Sequence, residues 1–293
     1  MSAVIEAVRS PRRVGTTTTD SERAADVRPA KSRGRSASRE RVVNVLLPLV
    51  ILLSVLGIWQ LVTVVGLVED FVLPSPAAVA GALRDTPGVF VEHGWVTTRE
   101  AMAGFVVGNL AAVITAVAFV QSATLERGFY PLALASRSIP VVAIAPVLVL
   151  QLGSGMAPKI VIAAFLVYFP TLVNVLRGLR SADSDVSELM HTLSAAWWQR
   201  LFMVRLPASL PYLFAALKIS AGSCFIGAIV AEWIGADRGL GYLVVISGYQ
   251  YRIPQLWGAV AVAAVLALAA FLLVCAVERL ATPWNRTGTV VGD

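Results

Sequence analysis

Long apolar stretches separated by short polar segments form the main pattern of the chain. Six stretches run for 18 to 25 residues, and a helix needs roughly 20 mostly apolar residues to cross a membrane. They cover residues 42–66, 101–120, 129–150, 159–176, 212–234 and 256–277. Each is predicted to be a transmembrane helix. Pro140, Pro146 and Pro170 predict kinks in the third and fourth helices, which are tolerated where neighbouring helices satisfy the freed backbone groups.

The composition agrees with this interpretation. Of the 293 residues, 57% are hydrophobic and only 14% are charged. A soluble domain carries roughly 25% charged residues, and its apolar residues would be scattered in short periodic runs. We therefore predict an all-α membrane protein with six transmembrane helices. The first helix falls in residues 42–70, a core transmembrane domain in 71–281, and a cytoplasmic C-terminal tail in 282–293.

Residues 1–41 differ in kind from the rest of the chain. They contain ten Lys and Arg against five Asp and Glu, among Ser, Thr, Ala, Gly and Pro. Such a segment buries too little apolar surface to fold, so it is predicted to be a disordered cytoplasmic tail. An arm for nucleic acid or anionic lipid is the alternative to a simple topology anchor. We expect the anchor, with membrane lipid and no nucleic acid as a partner.

The basic residues also predict the orientation. Cytoplasmic flanks of transmembrane helices carry an excess of Lys and Arg. With the tail inside, six crossings place both termini in the cytoplasm of a multi-pass plasma-membrane protein. Seventeen basic residues then lie on the inner side and five on the outer side.

Several kinds of chemistry are missing from the sequence. It has no Gly-Lys dipeptide and therefore no phosphate-binding loop for ATP, and His93 and His191 lie too far apart for a zinc pair on one helix. Cys224 and Cys275 show no ligand-like spacing. We thus expect no catalytic residue, cofactor or metal on this chain. Arg137, Lys218 and Glu232 are the charges noted at membrane depth, which is few for a proton-driven transporter.

The spacing of apolar residues in the polar linker between the fourth and fifth predicted spans predicts an amphipathic helix. Asp185 is predicted to be its N-cap, with Glu188 completing a capping box. Its apolar stripe comprises Leu189, Leu193, Ala196 or Trp197, and Leu201. Leu206-Pro207 is predicted to end this run, and Pro211 to open the next span. A helix lying on lipid headgroups is the alternative, although its acidic beginning does not suit that role.

This linker resembles the cytoplasmic signature loop of permeases in binding-protein-dependent ABC importers. The family pattern is Glu-Ala-Ala, three residues, Gly, nine residues, Ile-x-Leu-Pro. Here Glu188 takes the Glu position, Ser194 the Gly position, Val204 the Ile position, and Leu206-Pro207 the closing pair. Leu189 and Met190 stand where the family has alanines.

Three further segments carry the same resemblance: "FVLPSPAAV" from Phe71, "SRSIPVVAIAPVLVLQLGSGMAPKI" from Ser136 and "IGAIVAEWIGADRGLGYLV" from Ile226. They are similar to the branch that imports nitrate, sulfonates, taurine and thiamine-precursor pyrimidines.

The resemblance implies the ABC importer permease fold, in which the linker is a coupling helix docked on a separate ATPase subunit that binds ATP. It also implies an extracytoplasmic binding protein and a second copy of this chain as partners. The coupling residues carried over are Glu188, Leu189, Met190, Leu193, Ser194, Ala195, Leu206 and Pro207. A self-sufficient secondary transporter or channel remains the alternative function.

Two more motifs and a set of polar residues complete the sequence picture. Gly104, Gly108 and Ala112 form a row of small residues that predicts a close helix contact, either in the core or between two copies. The stretch "GADRGLGY" (235–242) predicts a re-entrant turn near the outer gate. Candidates for the translocation path are Glu232, Ser220, Ser223, Tyr168 and Asn174, although Glu232 could instead bond to the glycine-rich loop. Polar groups this sparse predict that a partner binding protein holds the specificity.

Overall fold

The computed structural model describes residues 34–69 and 71–282, and every regular element within them is a helix. In chain order these are α1 (Gly34–Val64), α2 (Pro76–Asp85), α3 (Pro87–Gln121), α4 (Ala123–Ser136), α5 (Val141–Leu152), α6 (Met156–Arg180), α7 (Ser184–Thr192), α8 (Trp197–Arg200), a π-helical turn (Leu201–Arg205), α9 (Leu206–Gly235), α10 (Leu240–Tyr249) and α11 (Ile253–Ala281). Residues 1–33 of the predicted tail, and 283–293 at the other end, lie outside the described residues.

Five helical segments are long and apolar enough to cross a membrane: Leu46–Val64, Pro87–Gln121, Met156–Arg180, Trp197–Gly235 and Ile253–Ala281. A sixth crossing is formed if α4 and α5, which meet at an angle of 98°, count as one span. The all-α membrane architecture is therefore confirmed.

The prediction that residues 129–150 form a single kinked helix is wrong. The chain leaves the α4 helix after Ser136 and starts α5 at Val141, with Pro140 as the residue before it. Proline cannot donate a backbone hydrogen bond and disfavours helical geometry in the residue that precedes it. At this position the two effects produce a break instead of a kink.

Several helix starts also differ from the prediction. The α9 helix begins at Leu206, so Pro211 lies inside it and does not open the span as predicted. The α3 helix begins at Pro87 instead of residue 101, because proline suits the first turn of a helix and the polar residues that follow it masked the helix in the hydropathy pattern. The α1 helix begins at Gly34, so the last eight residues of the predicted tail, 34–41, are helical.

The core forms where α3, α6 and α9 approach one another closely at small residues. A Cβ atom added to Gly108 on α3 would lie 2.5 Å from the carbonyl oxygen of Ala164 on α6, and one on Gly227 of α9 would lie 2.7 Å from Cα of Ala163. One on Gly104 would collide with Cβ of Ala163. The row of small residues on α3 is thus a core contact, and α6 of the same chain occupies the face that a second copy would need.

The chain divides into two units, residues 1–55 and 56–293. In the first, every side chain from Leu46 to Val55 is exposed, as suits a helix that is apolar all round and placed in lipid. In the second, the indole N–H of Trp59 donates to the carbonyl oxygen of Pro74 at 3.1 Å, and its ring lies 5.5 Å from that of Trp257. The end of α1 therefore contacts the segment before α2 and the start of α11.

Candidate functional site

The first candidate region is α7, a nine-residue helix outside the spans. A side-chain oxygen of Asp183 accepts the backbone N–H of Asp185 at 2.9 Å and caps the helix. The prediction that Asp185 is the N-cap, with Glu188 completing a capping box, is therefore wrong by two residues. Asp185 lies instead in the first turn, where a negative charge suits the helix dipole.

The α7 helix ends in a Schellman motif centred on Ser194. The N–H of Ala195 donates to the carbonyl oxygen of Met190 and the N–H of Ser194 to that of His191, both at 2.9 Å. Ser194 has φ of +54°, the left-handed conformation that this motif requires and that glycine adopts most readily. Ser194 is the residue at the glycine position of the signature, so the pattern marks this turn even though the glycine itself is absent.

Two expectations about the linker are thereby corrected. It is not one continuous amphipathic helix, because the motif at Ser194 separates α7 from α8. Leu206-Pro207 does not end a helix either, since α8, the π turn and α9 run together from Trp197 to Gly235. The wider π turn ends at Arg205, two residues before Pro207, whose ring and missing N–H disturb the regular hydrogen-bond ladder one turn back.

An exposed apolar surface covers this region, and we call it the coupling surface. It consists of Val186, Leu189, Leu193, Trp197 and Trp198, with exposed fractions of 41%, 58%, 68%, 56% and 52%. The first three are spaced by three and four residues and share one face of α7. Of the predicted coupling residues, Glu188, Ser194 and Pro207 are also exposed, whereas Met190, Ala195 and Leu206 are half-buried. Val186 and Trp198 were not predicted.

The second candidate region is a buried polar network around Glu232, at the N-terminus of α10. The hydroxyl of Thr97 donates to one carboxylate oxygen of Glu232 at 2.6 Å, and the N–H of Gly241 donates to the other at 2.5 Å. Thr97 also accepts the N–H of Leu240 at 2.7 Å, and Nδ1 of His93 accepts the N–H of Gly239 at 2.9 Å. Side chains from α3 and α9 thus satisfy the first N–H groups of α10, which otherwise lack partners.

Glycine is required in the loop that this network holds. Gly239 has φ of +113°, and a Cβ atom there would collide with the carboxylate of Glu232. Past the loop, α10 is apolar but only ten residues long, too short to cross a membrane. This agrees with the predicted re-entrant turn. Glu232 itself is 1% exposed, and in this structure it bonds to the glycine-rich loop.

A buried ion pair lies beside this network. Nζ of Lys159 on α6 is 3.2 Å from a carboxylate oxygen of Glu100 on α3, with side chains 6% and 4% exposed. The sequence prediction missed Glu100, Thr97 and His93, because it started the span at residue 101. Their spacing of four and three residues was the available signal, since it places all three on one helix face.

The other predicted path residues take part in separate contacts. Ser220 is buried and lies 3.0 Å from the hydroxyl of Thr171, which donates to Oδ1 of Asn109 at 2.7 Å. Tyr168 donates to Thr115 at 3.2 Å, while the amide of Asn174 and the hydroxyl of Ser223 donate to carbonyl oxygens of their own helices. The five side chains therefore do not converge on one binding site, and their role in the path stays a prediction.

Lys218, one of the three charges noted at membrane depth, pairs with Glu278 at 2.5 Å between α9 and α11. Within the described residues, no group of three His, Cys, Asp or Glu side chains could hold a metal ion.

Comparison with known proteins identifies the family of this chain. The family described as "Binding-protein-dependent transport system inner membrane component" matches residues 108–286. A probable ABC transporter permease protein of Haemophilus influenzae is 35% identical over 74% of this chain and 89% of its own length. The riboflavin transport system permease protein of Chloroflexus aurantiacus is 31% identical over 80% and 89%, respectively. The formylaminopyrimidine transport permease protein of Halalkalibacterium halodurans is 28% identical over 84% and 99%.

A solved structure supports the fold. The crystal structure of an amino acid ABC transporter with histidines superimposes with a TM-score of 0.56, covering 68% of this chain and 97% of that one at 16% identity. At that identity the likeness concerns the fold alone. Members of this family work with an ATPase and a substrate-binding protein. The alternative prediction, a self-sufficient secondary transporter or channel, is therefore wrong. The chain belongs to the binding-protein-dependent inner membrane components, and it is a transport permease subunit of an ABC importer.

Proposed function

We propose that this permease subunit conducts a small polar or anionic solute, and that α7 is the element through which its ATPase partner moves it. The observation that carries the second part is the coupling surface. Five large apolar side chains are exposed there: Val186 and Leu189 on α7, Leu193 at its C-terminal end, and Trp197 and Trp198 on α8. Leaving such a surface in water is unfavourable by about 25 cal/mol for each Å², so a partner that covers it gains affinity.

The shape of the surface favours a protein groove over lipid headgroups. Val186, Leu189 and Leu193 form one narrow face, the arrangement with which a helix fills a hydrophobic groove. Asp183 and Asp185 make the start of α7 acidic, and Glu188 adds a negative charge at its middle. A helix that lies on anionic lipid needs basic residues on its polar face instead.

The same segment supports an orientation with both termini in the cytoplasm. Arg177 and Arg180 end α6, and Arg200 and Arg205 follow α7, so the coupling surface lies between two basic clusters. Short loops rich in Arg and Lys remain on the cytoplasmic side of a membrane. An ATPase that draws on cytoplasmic ATP needs its docking surface on that side.

The relatives suggest the class of cargo. Their names specify riboflavin, formylaminopyrimidine, aliphatic sulfonates and taurine, and sulfonates and taurine carry an anionic group. By analogy, we infer a small polar or anionic solute for this chain, delivered by its binding protein. Glu232, Ser220, Ser223, Tyr168 and Asn174 remain the candidates along the path.

We also infer that two copies of this chain form the permease. The described residues supply one coupling surface and one set of crossings, whereas an ABC importer closes two ATPase subunits on ATP and needs a docking helix for each. Native mass spectrometry of the purified complex should give two permease and two ATPase chains. A second, different permease chain in equal amount contradicts the homodimer.

Site-specific photo-crosslinking tests the docking proposal. Benzoylphenylalanine at Leu189 should form an adduct with the ATPase in membranes that contain the whole importer. Val91 on α3 is the matched control, because it is also an exposed apolar residue but lies far from α7 in the chain. Adducts from Val91 instead of Leu189, or from neither position, contradict docking at α7. Thermal-shift screening of the cognate binding protein identifies the cargo independently.

A further inference from the structure

A cleft of about 350 Å³ opens at the break between α4 and α5, against α6. Its lining includes Ser136 and Arg137 at the break and Phe169, Pro170 and Asn174 on α6. Irregular backbone at membrane depth is tolerated only where it is buried in protein or lines a water-filled cavity. The irregular backbone at the 98° break between α4 and α5 lines this cleft, as that condition requires.

The guanidinium group of Arg137 is the charged group of this cleft. It lies 5.6 Å from the centre of the Phe169 ring and is largely exposed. The ion pairs in the described part of the chain join Lys159 to Glu100, Arg180 to Glu126, Lys218 to Glu278 and Arg238 to Glu92, so no carboxylate there pairs with Arg137.

Among the described residues Arg137 lacks a carboxylate partner although it lies deep in the membrane, which points to a function for this charge. Phe169 is 11 residues before Arg180, the last residue of α6, which corresponds to about 16 Å along the helix. The apolar part of a membrane is about 30 Å thick, so the ring lies near its middle. Ionisable residues at such a depth are costly and mark solute or ion pathways.

Asn174 adds hydrogen-bonding capacity to the same cleft. One N–H of its amide donates to the carbonyl oxygen of Pro170 at 2.8 Å. A primary amide has a second N–H and a carbonyl oxygen, so Asn174 retains a donor for a ligand. A planar guanidinium beside an amide donor matches the oxygen atoms of a sulfonate or carboxylate.

We propose that this cleft binds the anionic group of the transported solute, with Arg137 as the main contact and Asn174 beside it. The inference rests on the proposed function, and it narrows the cargo to a small organic anion such as a sulfonate. A phospholipid phosphate would offer similar chemistry but belongs at the membrane surface, far from the depth of Phe169.

The test measures which charged reagents the cleft attracts. Val173 also lines the cleft, so Val173→Cys is introduced into the full chain, purified with its ATPase. The thiol is reacted with the anionic sulfonatoethyl and the cationic trimethylammonioethyl methanethiosulfonates, and the parent chain corrects for Cys224 and Cys275. Arg137→Gln should lower the ratio of anionic to cationic rates about tenfold, because the attraction between opposite charges is lost. Arg137→Lys should retain most of the ratio, and Arg84→Gln, at an exposed arginine outside the cleft, should leave it unchanged.

Methanesulfonate should also slow the modification when Arg137 is present and not in Arg137→Gln. An unchanged ratio in Arg137→Gln, or an introduced thiol that neither reagent reaches, overturns the proposal. Protection by dispersed short-chain phosphatidylglycerol without protection by methanesulfonate overturns it too, in favour of a lipid site. Retention of the ATPase by each variant reports separately on the proposed function and shows that the variant is folded.

Discussion

Thr97 donates a hydrogen bond of 2.6 Å to Glu232, although 135 residues separate them in the chain. The other carboxylate oxygen of Glu232 accepts the N–H of Gly241. One buried side chain therefore ties α3, α9 and the start of α10 together. In effect, Glu232 serves as the cap that the N-terminus of α10 does not obtain from its own residue Gly239.

Replacement of Glu232 should destabilise the permease. In Glu232→Ala the buried N–H of Gly241 loses its acceptor, which costs about 1–3 kcal/mol, whereas the hydroxyl of Thr97 retains the carbonyl oxygen of His93 at 3.2 Å as an acceptor. The midpoint of unfolding of the purified chain in detergent measures the loss. Glu92→Ala is the control, because the Glu92–Arg238 pair is exposed and such pairs contribute little. Equal midpoints for the two variants would contradict the role given to Glu232.

Gly239→Ala should destabilise the same region by a different mechanism. Its φ of +113° is strained for any residue with a Cβ atom, and that atom would collide with Glu232. The strained backbone alone costs about 1–3 kcal/mol. Gly222→Ala on α9, where an added Cβ meets nothing within 4 Å, should be neutral or mildly stabilising. Thermal unfolding of both variants checks the contrast, and a tolerated Gly239→Ala would show that the loop can rearrange.

Ser194→Gly should stabilise the turn between α7 and α8. Glycine adopts the left-handed conformation of Ser194 without the penalty of about 1 kcal/mol that a side chain brings. Ser194→Val should do the opposite, because a β-branched residue is strongly disfavoured there. Amide hydrogen exchange at Ser194 and Ala195, whose N–H groups bond within the motif, should slow in the glycine variant and accelerate in the valine variant. Exchange that is the same in both would exclude a Schellman turn at this position.

Glu188→Lys should separate docking from folding. Glu188 is the fifth of the nine residues of α7, beyond the first turn in which the helix dipole acts strongly, so the reversed charge should have little effect on folding. A misplaced like charge in an interface costs several kcal/mol. The variant should reach the membrane at normal levels while ATPase retention and solute uptake both fall. Glu69→Lys, an exposed acidic residue between α1 and α2, is the matched control and should retain both. Normal uptake and ATPase retention in Glu188→Lys would show that Glu188 does not contribute to docking of the ATPase.

Features that depend on short stretches of the sequence were predictable. Apolar stretches of sufficient length identified the spans, because the membrane imposes a length on every helix that crosses it. The spacing from Glu188 to Pro207 identified the segment that we propose for coupling, and its glycine position marked the turn that Ser194 makes. The helix bounds were less accurate at α3, where Glu92, His93, Arg99 and Glu100 lowered the hydropathy of a stretch that is nonetheless helical.

The sequence by itself determined the all-helical membrane architecture and the place of the proposed coupling segment, since hydropathy and motif spacing are read over short distances along the chain. Only the tertiary structure decided that Thr97, Glu232 and Gly241 meet, because packing of α3, α6 and α9 brings together residues whose separation carries no local signal. The same holds for Arg137, whose position in a cleft against Phe169 depends on the direction that α5 takes after Pro140. Because a buried donor or charge without a partner is costly, burial favours the one packing arrangement in which these polar groups meet.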